Sequence, residues 1–140
     1  MKTPSELLSD RIVSLLALEE FLNRNLNIAI SGGTSPDRLF ALWAGPYTNT
    51  IDWRRINIFW VDERCVPPDH PDSNYGRAYQ KFLKEIPLNE NNIFRIKGEI
   101  NPTEAASSYE KIVKSVLGES GGFDLVILGT DSPDYITPAT

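Results

Sequence analysis

The sequence predicts an α/β domain, a Rossmann-like parallel sheet flanked by helices, and three observations carry that prediction. Stretches with apolar residues at helical spacing alternate with short unbroken apolar runs, the pattern of helices that cover strands buried on both faces. The succession helix, strand runs four times along the chain, which fits parallel pairing through right-handed crossovers. Two of the apolar runs end abruptly, one in a glycine pair and one in three adjacent charges.

Thr3 or Ser5 can start the first helix, with Pro4 and Glu6 suited to its first turn. Leu8, Ile12, Leu15, Leu16 and Leu22 recur at helical spacing, so residues 5 to 23 read as an amphipathic helix with a structural role. Leu26 to Ile30 form an inner strand, followed by Ser31-Gly32-Gly33-Thr34-Ser35-Pro36. Ser35 can cap a helix whose first position, Pro36, is where proline fits best, and Leu39, Phe40 and Trp43 supply its buried side. A second buried strand runs from Arg55 to Val61 and empties into Asp62-Glu63-Arg64. Ser73 or Asn74 begins the next helix, on which Tyr75 and Tyr79 can pack on one face. Ile93 to Ile96 make a short strand. Asn101 or Thr103 begins a helix with Ala105, Tyr109, Ile112, Val113 and Val116 as its apolar positions. Phe123 to Gly129 read as the last strand, and residues 130 to 140 show no periodicity.

Composition narrows the function. At 140 residues the chain is one domain long, with 41% apolar and 24% charged residues and neither repeats nor low-complexity tracts. A net charge of −5 provides no basic footprint for nucleic acid. Cys65 is the only cysteine, which excludes an intrachain disulfide and suits a reducing compartment. No stretch has the length of a membrane span and the N-terminus lacks the apolar centre of a signal peptide, so the expectation is a cytoplasmic protein.

The two strand ends are where chemistry is expected, because ligands of open α/β sheets sit beyond the carboxyl ends of the strands. At the first, glycines allow close approach to bare backbone, while helix N–H groups and the helix dipole favour an anion. The stretch is neither a Walker loop nor Gly-x-Gly-x-x-Gly, and many α/β proteins have an ordinary turn of this kind. Asp37, in the helix's first turn, mildly opposes an anion there. At the second, Asp62-Glu63-Arg64 is either a reactive cluster or a solvated loop whose charges pair with neighbours.

With those residues laid out, the chain resembles the 6-phosphogluconolactonase family, relatives of the glucosamine-6-phosphate deaminases. Ser31 to Pro36 is similar to the family's phosphate loop, Phe59 to Pro68 with Asp72-Ser73-Asn74-Tyr75 to its most characteristic segment, and Phe123 to Gly129 to the strand before its catalytic loop. In the deaminases the Asp-Glu pair is typically followed by Tyr-Val, so Arg64, Val66-Pro67 and Ser73-Asn74 favour the lactonase side. The resemblance implies hydrolysis of 6-phospho-D-glucono-1,5-lactone, with no metal or organic cofactor and a small-molecule sugar phosphate as partner. It also implies that Gly32, Gly33, Thr34 and Ser35 surround the substrate phosphate, that Arg64 contacts the substrate's oxygens, and that Asp62 orients Arg64 or a catalytic histidine. Arginine can stabilise an oxyanion but cannot act as the base.

The chain departs from the family after its last strand. Where the family has Gly-x-Gly-x-Asp-Gly-His, with the histidine as base, this chain has Gly129-Thr130-Asp131-Ser132-Pro133-Asp134-Tyr135. Tyrosine titrates near pH 10 and is a poor base at neutrality. The single domain, residues 1 to 140, is therefore expected to lack the C-terminal part of the family domain and to be impaired in activity. A non-catalytic sugar-phosphate-binding domain is the first alternative, and a glucosamine-6-phosphate deaminase or isomerase is a weaker one. Missing strands expose apolar surface, so reduced stability and self-association are expected too. His70 is expected to be structural or solvent-facing, and Cys65 to be a small buried residue.

Overall fold

A computed structural model describes residues 1–32, 36–118 and 121–128, and the backbone of 136–138. Helix α1, Pro4–Leu16, begins with a capping box: the Glu6 amide donates to the Thr3 hydroxyl at 3.2 Å and the Thr3 amide to the Glu6 carboxylate at 3.0 Å. The helix stops well before residue 23. Arg55 donates to the carbonyls of Leu16 and Phe21, both at 2.8 Å, and so satisfies backbone acceptors that a helix end leaves open. Residues Glu19–Phe21 form a 3₁₀ turn that buries Phe21 and leaves Leu22 outside.

Strand β1, Leu26–Ile30, is buried throughout. Helix α2, Asp37–Ala44, packs Leu39, Phe40 and Trp43 inward. Strand β2, Ile56–Trp60, lies parallel to β1 in the register Leu26↔Ile56 to Ile30↔Trp60. Helix α3, Asn74–Lys81, starts at Ser73, whose hydroxyl accepts from the Gly76 amide. Phe82 follows it and joins Phe40, Trp43 and Trp53 in an aromatic cluster with centroid separations from 4.6 to 6.1 Å. Strand β3 is only Ile93–Phe94, paired parallel with β2. Helix α4, Pro102–Leu117, is capped by Asn101, whose side-chain oxygen accepts from the Thr103 and Glu104 amides. Strand β4, Leu125–Ile127, pairs parallel with the other side of β1.

The order is β3-β2-β1-β4-β5, parallel through its first four strands. Strand β5, Ile136–Pro138, departs from the purely parallel expectation, because it runs antiparallel to β4 in a segment read as aperiodic. Three residues are too few to display a period of two. The expected last strand, residues 123 to 129, is shorter for a visible reason. Before it, Asp124 accepts from the Asn27 amide at 2.7 Å and takes a bidentate pair from Arg24 at 2.8 and 2.9 Å. That clasp pins β4 to β1 at the edge opposite the candidate site.

The apolar face expected on α4 is poorly covered. Among its described residues only Ala105 is buried, while Ile112, Val113, Val116 and Leu117 are half-buried. Apolar side chains left half-buried along one helix offer surface that a second copy can cover. Sedimentation velocity across a hundredfold range of micromolar concentrations is expected to show mass increasing with concentration. A monomer throughout would sink that expectation. Among the described residues no helix is long and apolar enough to cross a membrane.

Candidate functional site

Because β1 and β2 are parallel neighbours, the Gly32 turn and the Asp62 to Arg64 segment leave the sheet side by side. The Val61 amide donates to Ile30 at 2.9 Å, and the Ser31 amide reaches across to Ile127 at 2.8 Å. Between the two segments stands Asn74, the first residue of α3 and almost completely buried. Its side-chain amide donates to both the backbone and a carboxylate oxygen of Asp62, each at 3.2 Å. On its other side it presses on Gly32, where an added Cβ would lie 2.0 Å from the Asn74 amide oxygen. Asn74 therefore sets the distance between the glycine turn and Asp62. Sequence reasoning named this residue as a possible helix start and as part of the segment that resembles the family, but gave it no place in the site. Its part in the site shows only in the contact with Gly32, which no local sequence pattern reports.

The three adjacent charges divide their work. Glu63 is structural: its carboxylate accepts from the Ser73 hydroxyl at 2.9 Å and from the amides of Asn74, Tyr75 and Arg64 at 2.6, 3.1 and 2.8 Å. It closes the N-terminus of α3, where unpaired N–H groups and the helix dipole favour a carboxylate. Asp62 is exposed and held by Asn74 rather than by Arg64. Arg64 is exposed and has no ion pair among the described residues. The expectation that Asp62 orients Arg64 has no counterpart in the hydrogen bonds of the described residues.

The Arg64 backbone is nevertheless well placed. Its carbonyl accepts from Val66 at 2.9 Å and lies against Gly98, where a Cβ would come within 2.1 Å of that oxygen. Arg64, Lys97 and Glu110 border a cavity of about 390 Å³ floored by Ile96, Ala105 and Tyr109. Cys65 lies in its wall and is exposed, not buried as expected, because it sits in the tight turn closed by the Val66 amide on the Arg64 carbonyl rather than on the strand. Asp37, whose charge opposes an anion at α2, is held by Arg77 of α3 through a bidentate pair. That pairing offsets the conflict.

His70 is placed elsewhere. Its Nδ1 accepts from the Asp72 amide at 3.0 Å, and it lines a separate cavity of about 470 Å³ with Tyr75 and Tyr79. Gly33, Thr34 and Ser35, and the segment from Gly129 to Tyr135, lie outside the described residues. Among the described residues no group of three or more His, Cys, Asp or Glu side chains is arranged to hold a metal.

The loop from β3 to Gly98 is braced by Arg95, which donates to Glu99 at 3.0 and 2.7 Å and lies over the Tyr75 ring. The Arg95 hydrogen bonds pull the Glu99 carboxyl from the ordinary 4.5 down to about 2. A carboxyl depressed in the folded state stabilises it fully above the ordinary value and loses that contribution as pH falls towards the folded one. Thermal melts from pH 5 to pH 2 should therefore show a decline that Glu99→Gln flattens. Parallel curves for the two proteins would show that the pair contributes nothing.

Residues 5–131 match the family described as glucosamine-6-phosphate isomerases/6-phosphogluconolactonase. A 6-phosphogluconolactonase of Haemophilus influenzae is 36% identical over 121 residues, covering 86% of this chain and 52% of the relative. The chloroplastic 6-phosphogluconolactonase 3 of Arabidopsis thaliana is 39% identical over 119 residues, covering 78% of this chain and 37% of the relative. Among solved structures, 6-phosphogluconolactonase from Trypanosoma cruzi superposes with a TM-score of 0.69 at 28% identity, over 90% of this chain and 55% of that one. The chain thus spans about half the length, or less, of the curated relatives it matches.

Proposed function

The chain belongs to the glucosamine-6-phosphate isomerase/6-phosphogluconolactonase family, and from that premise we propose that it serves the hydrolysis of 6-phospho-D-glucono-1,5-lactone to 6-phosphogluconate. The observation that carries this reading is Arg64: an exposed guanidinium without an ion pair among the described residues, just beyond the end of β2 with its carbonyl packed against Gly98. Such a cation is available to an anionic ligand, whereas Arg24, Arg77 and Arg95 are committed to carboxylates.

In the proposed reaction water attacks the lactone carbonyl, the bond from that carbon to the ring oxygen breaks, and the ring oxygen takes a proton. Gly32, Gly33, Thr34 and Ser35 hold the phosphate. Arg64 stabilises the oxyanion that develops at the carbonyl, and Asp62, fixed by Asn74, lies two residues before it in the same segment. The lone, exposed Cys65 supports a reducing, cytoplasmic setting.

A binding-only role is favoured by one observation. Glu63 is spent on the helix terminus and His70 faces another cavity, so neither is free to activate water beside Arg64. Opening of freshly made lactone at neutral pH, measured against a protein-free control, separates the readings. Acceleration lost in Arg64→Ala supports the lactonase. Binding of 6-phosphogluconate without acceleration supports the binding domain. Neither would overturn both.

A further inference from the structure

Tyr109 was read from the sequence as one more apolar position on α4, yet its hydroxyl takes part in the sheet. The Trp60 amide donates to the Tyr109 oxygen at 2.9 Å, and the Tyr109 hydroxyl donates to the Phe94 carbonyl at 2.6 Å. These two backbone groups belong to the point where β2 and β3 stop pairing, immediately after the rung Phe59↔Phe94. The hydroxyl stands in for a ladder bond. It satisfies a donor and an acceptor that the separating strands would otherwise strand, and it holds the strands apart by the width of an oxygen atom.

What lies beyond the wedge gives it a role. Four residues past Trp60 the chain reaches Arg64, and four residues past Phe94 it reaches Gly98, and there the two segments meet again. The contact is close: a Cβ on Gly98 would lie 2.1 Å from the Arg64 carbonyl and 2.7 Å from that of Val66. The segments thus form an eyelet, spread at one end by Tyr109 and closed at the other by Gly98 against Arg64. The cavity of about 390 Å³ is its opening. Burial pushes the Tyr109 hydroxyl's pKa upward, which keeps it protonated and able to donate.

We propose that Tyr109 is a positioning residue, whose hydroxyl sets the separation of β2 from β3 and so places Arg64 for its anionic ligand. The ligand part rests on the reading of Arg64 given above; the positional part does not. Without the hydroxyl, Trp60 and Phe94 are left unpaired unless the strands close by one rung. Closure draws residues 61 to 64 inward, and the Arg64 backbone shifts against Gly98.

Cys65, adjacent to Arg64, is exposed and is the only thiol in the sequence, so a trifluoromethyl label placed there reports on the loop alone. In Tyr109→Phe the fluorine signal of labelled Cys65 is expected to move or split. Unlabelled protein is expected to bind 6-phosphogluconate about tenfold more weakly, a loss typical of a misplaced polar group. The same substitution in an Arg64→Ala background should cost no further affinity. An unmoved fluorine signal would overturn the proposal. A moved signal with affinity intact would overturn the link to the ligand. A moved signal in a protein that never binds 6-phosphogluconate would uphold the positioning and reject the ligand. Should the variant not fold, amide exchange in the unaltered protein decides, because a Trp60 amide that exchanges as fast as a free loop amide contradicts the wedge.

Discussion

Glu63→Ala is expected to be among the most destabilising single substitutions in the chain, by about 3 kcal/mol. The carboxylate accepts four hydrogen bonds, three of them from the first residues of α3 and their cap. Removing it strips the helix of an anion at its positive end and leaves donors of the buried Ser73 and Asn74 and the half-buried Tyr75 without their partner. A loss of that size is a large share of the stability of an ordinary domain, about 5–15 kcal/mol. Urea titrations should show the midpoint falling while the slope stays constant. Asp62→Ala is the internal comparison, since Asp62 is exposed and its side chain accepts one hydrogen bond among the described residues. It should cost under about 1 kcal/mol. If the two substitutions cost the same, the division of labour within the triplet is wrong.

The contrast between Glu63 and Asp62 also shows where reading the sequence stopped. That chemistry or an ion-pair network would sit at Asp62-Glu63-Arg64 followed from an apolar run ending in charge. Which carboxylate is structural depends on Ser73, Asn74 and Tyr75, ten or more positions away, and no local pattern reports that. Features governed by short-range rules were legible. Leu26 to Ile30 and Ile58 to Trp60 are buried strand, as their apolar runs predict, the first interrupted only by Asn27, and of the two expected starts of α4 it is Asn101, just before Pro102, that caps the helix. Tyr109 was assigned to the correct face of α4 from its spacing, but a period carries no information about where a hydroxyl ends. The end of α1 was missed for the related reason that Arg55, far along the chain, supplies its terminal hydrogen bond. At the glycine turn the sequence marked Gly32 as a place of close approach but could not say that Asn74 is what its missing side chain makes room for.

That room is for Asn74, and Gly32→Ala should be costly for that reason alone. The added Cβ would meet the Asn74 amide oxygen, its carbon and its nitrogen at 2.0, 2.1 and 2.5 Å. Contacts this short must be relieved, and Asn74 is almost completely buried, with its amide nitrogen already bound to Asp62 at two points. Either those bonds break or the turn moves away from α3, and both outcomes alter the spacing between the glycine turn and Asp62. Overpacking of this kind costs about 1–3 kcal/mol. The larger expected effect is on ligand, with affinity for 6-phosphogluconate falling by more than about tenfold if the proposed site is correct. A double-mutant cycle identifies the cause. Asn74→Ala removes the colliding amide, so adding Gly32→Ala in that background should cost far less stability than in the natural protein. If the two costs are instead additive, the alanine acts on the backbone of the turn rather than through Asn74. The coupling of the glycine turn to Asp62 would then have to run by another route.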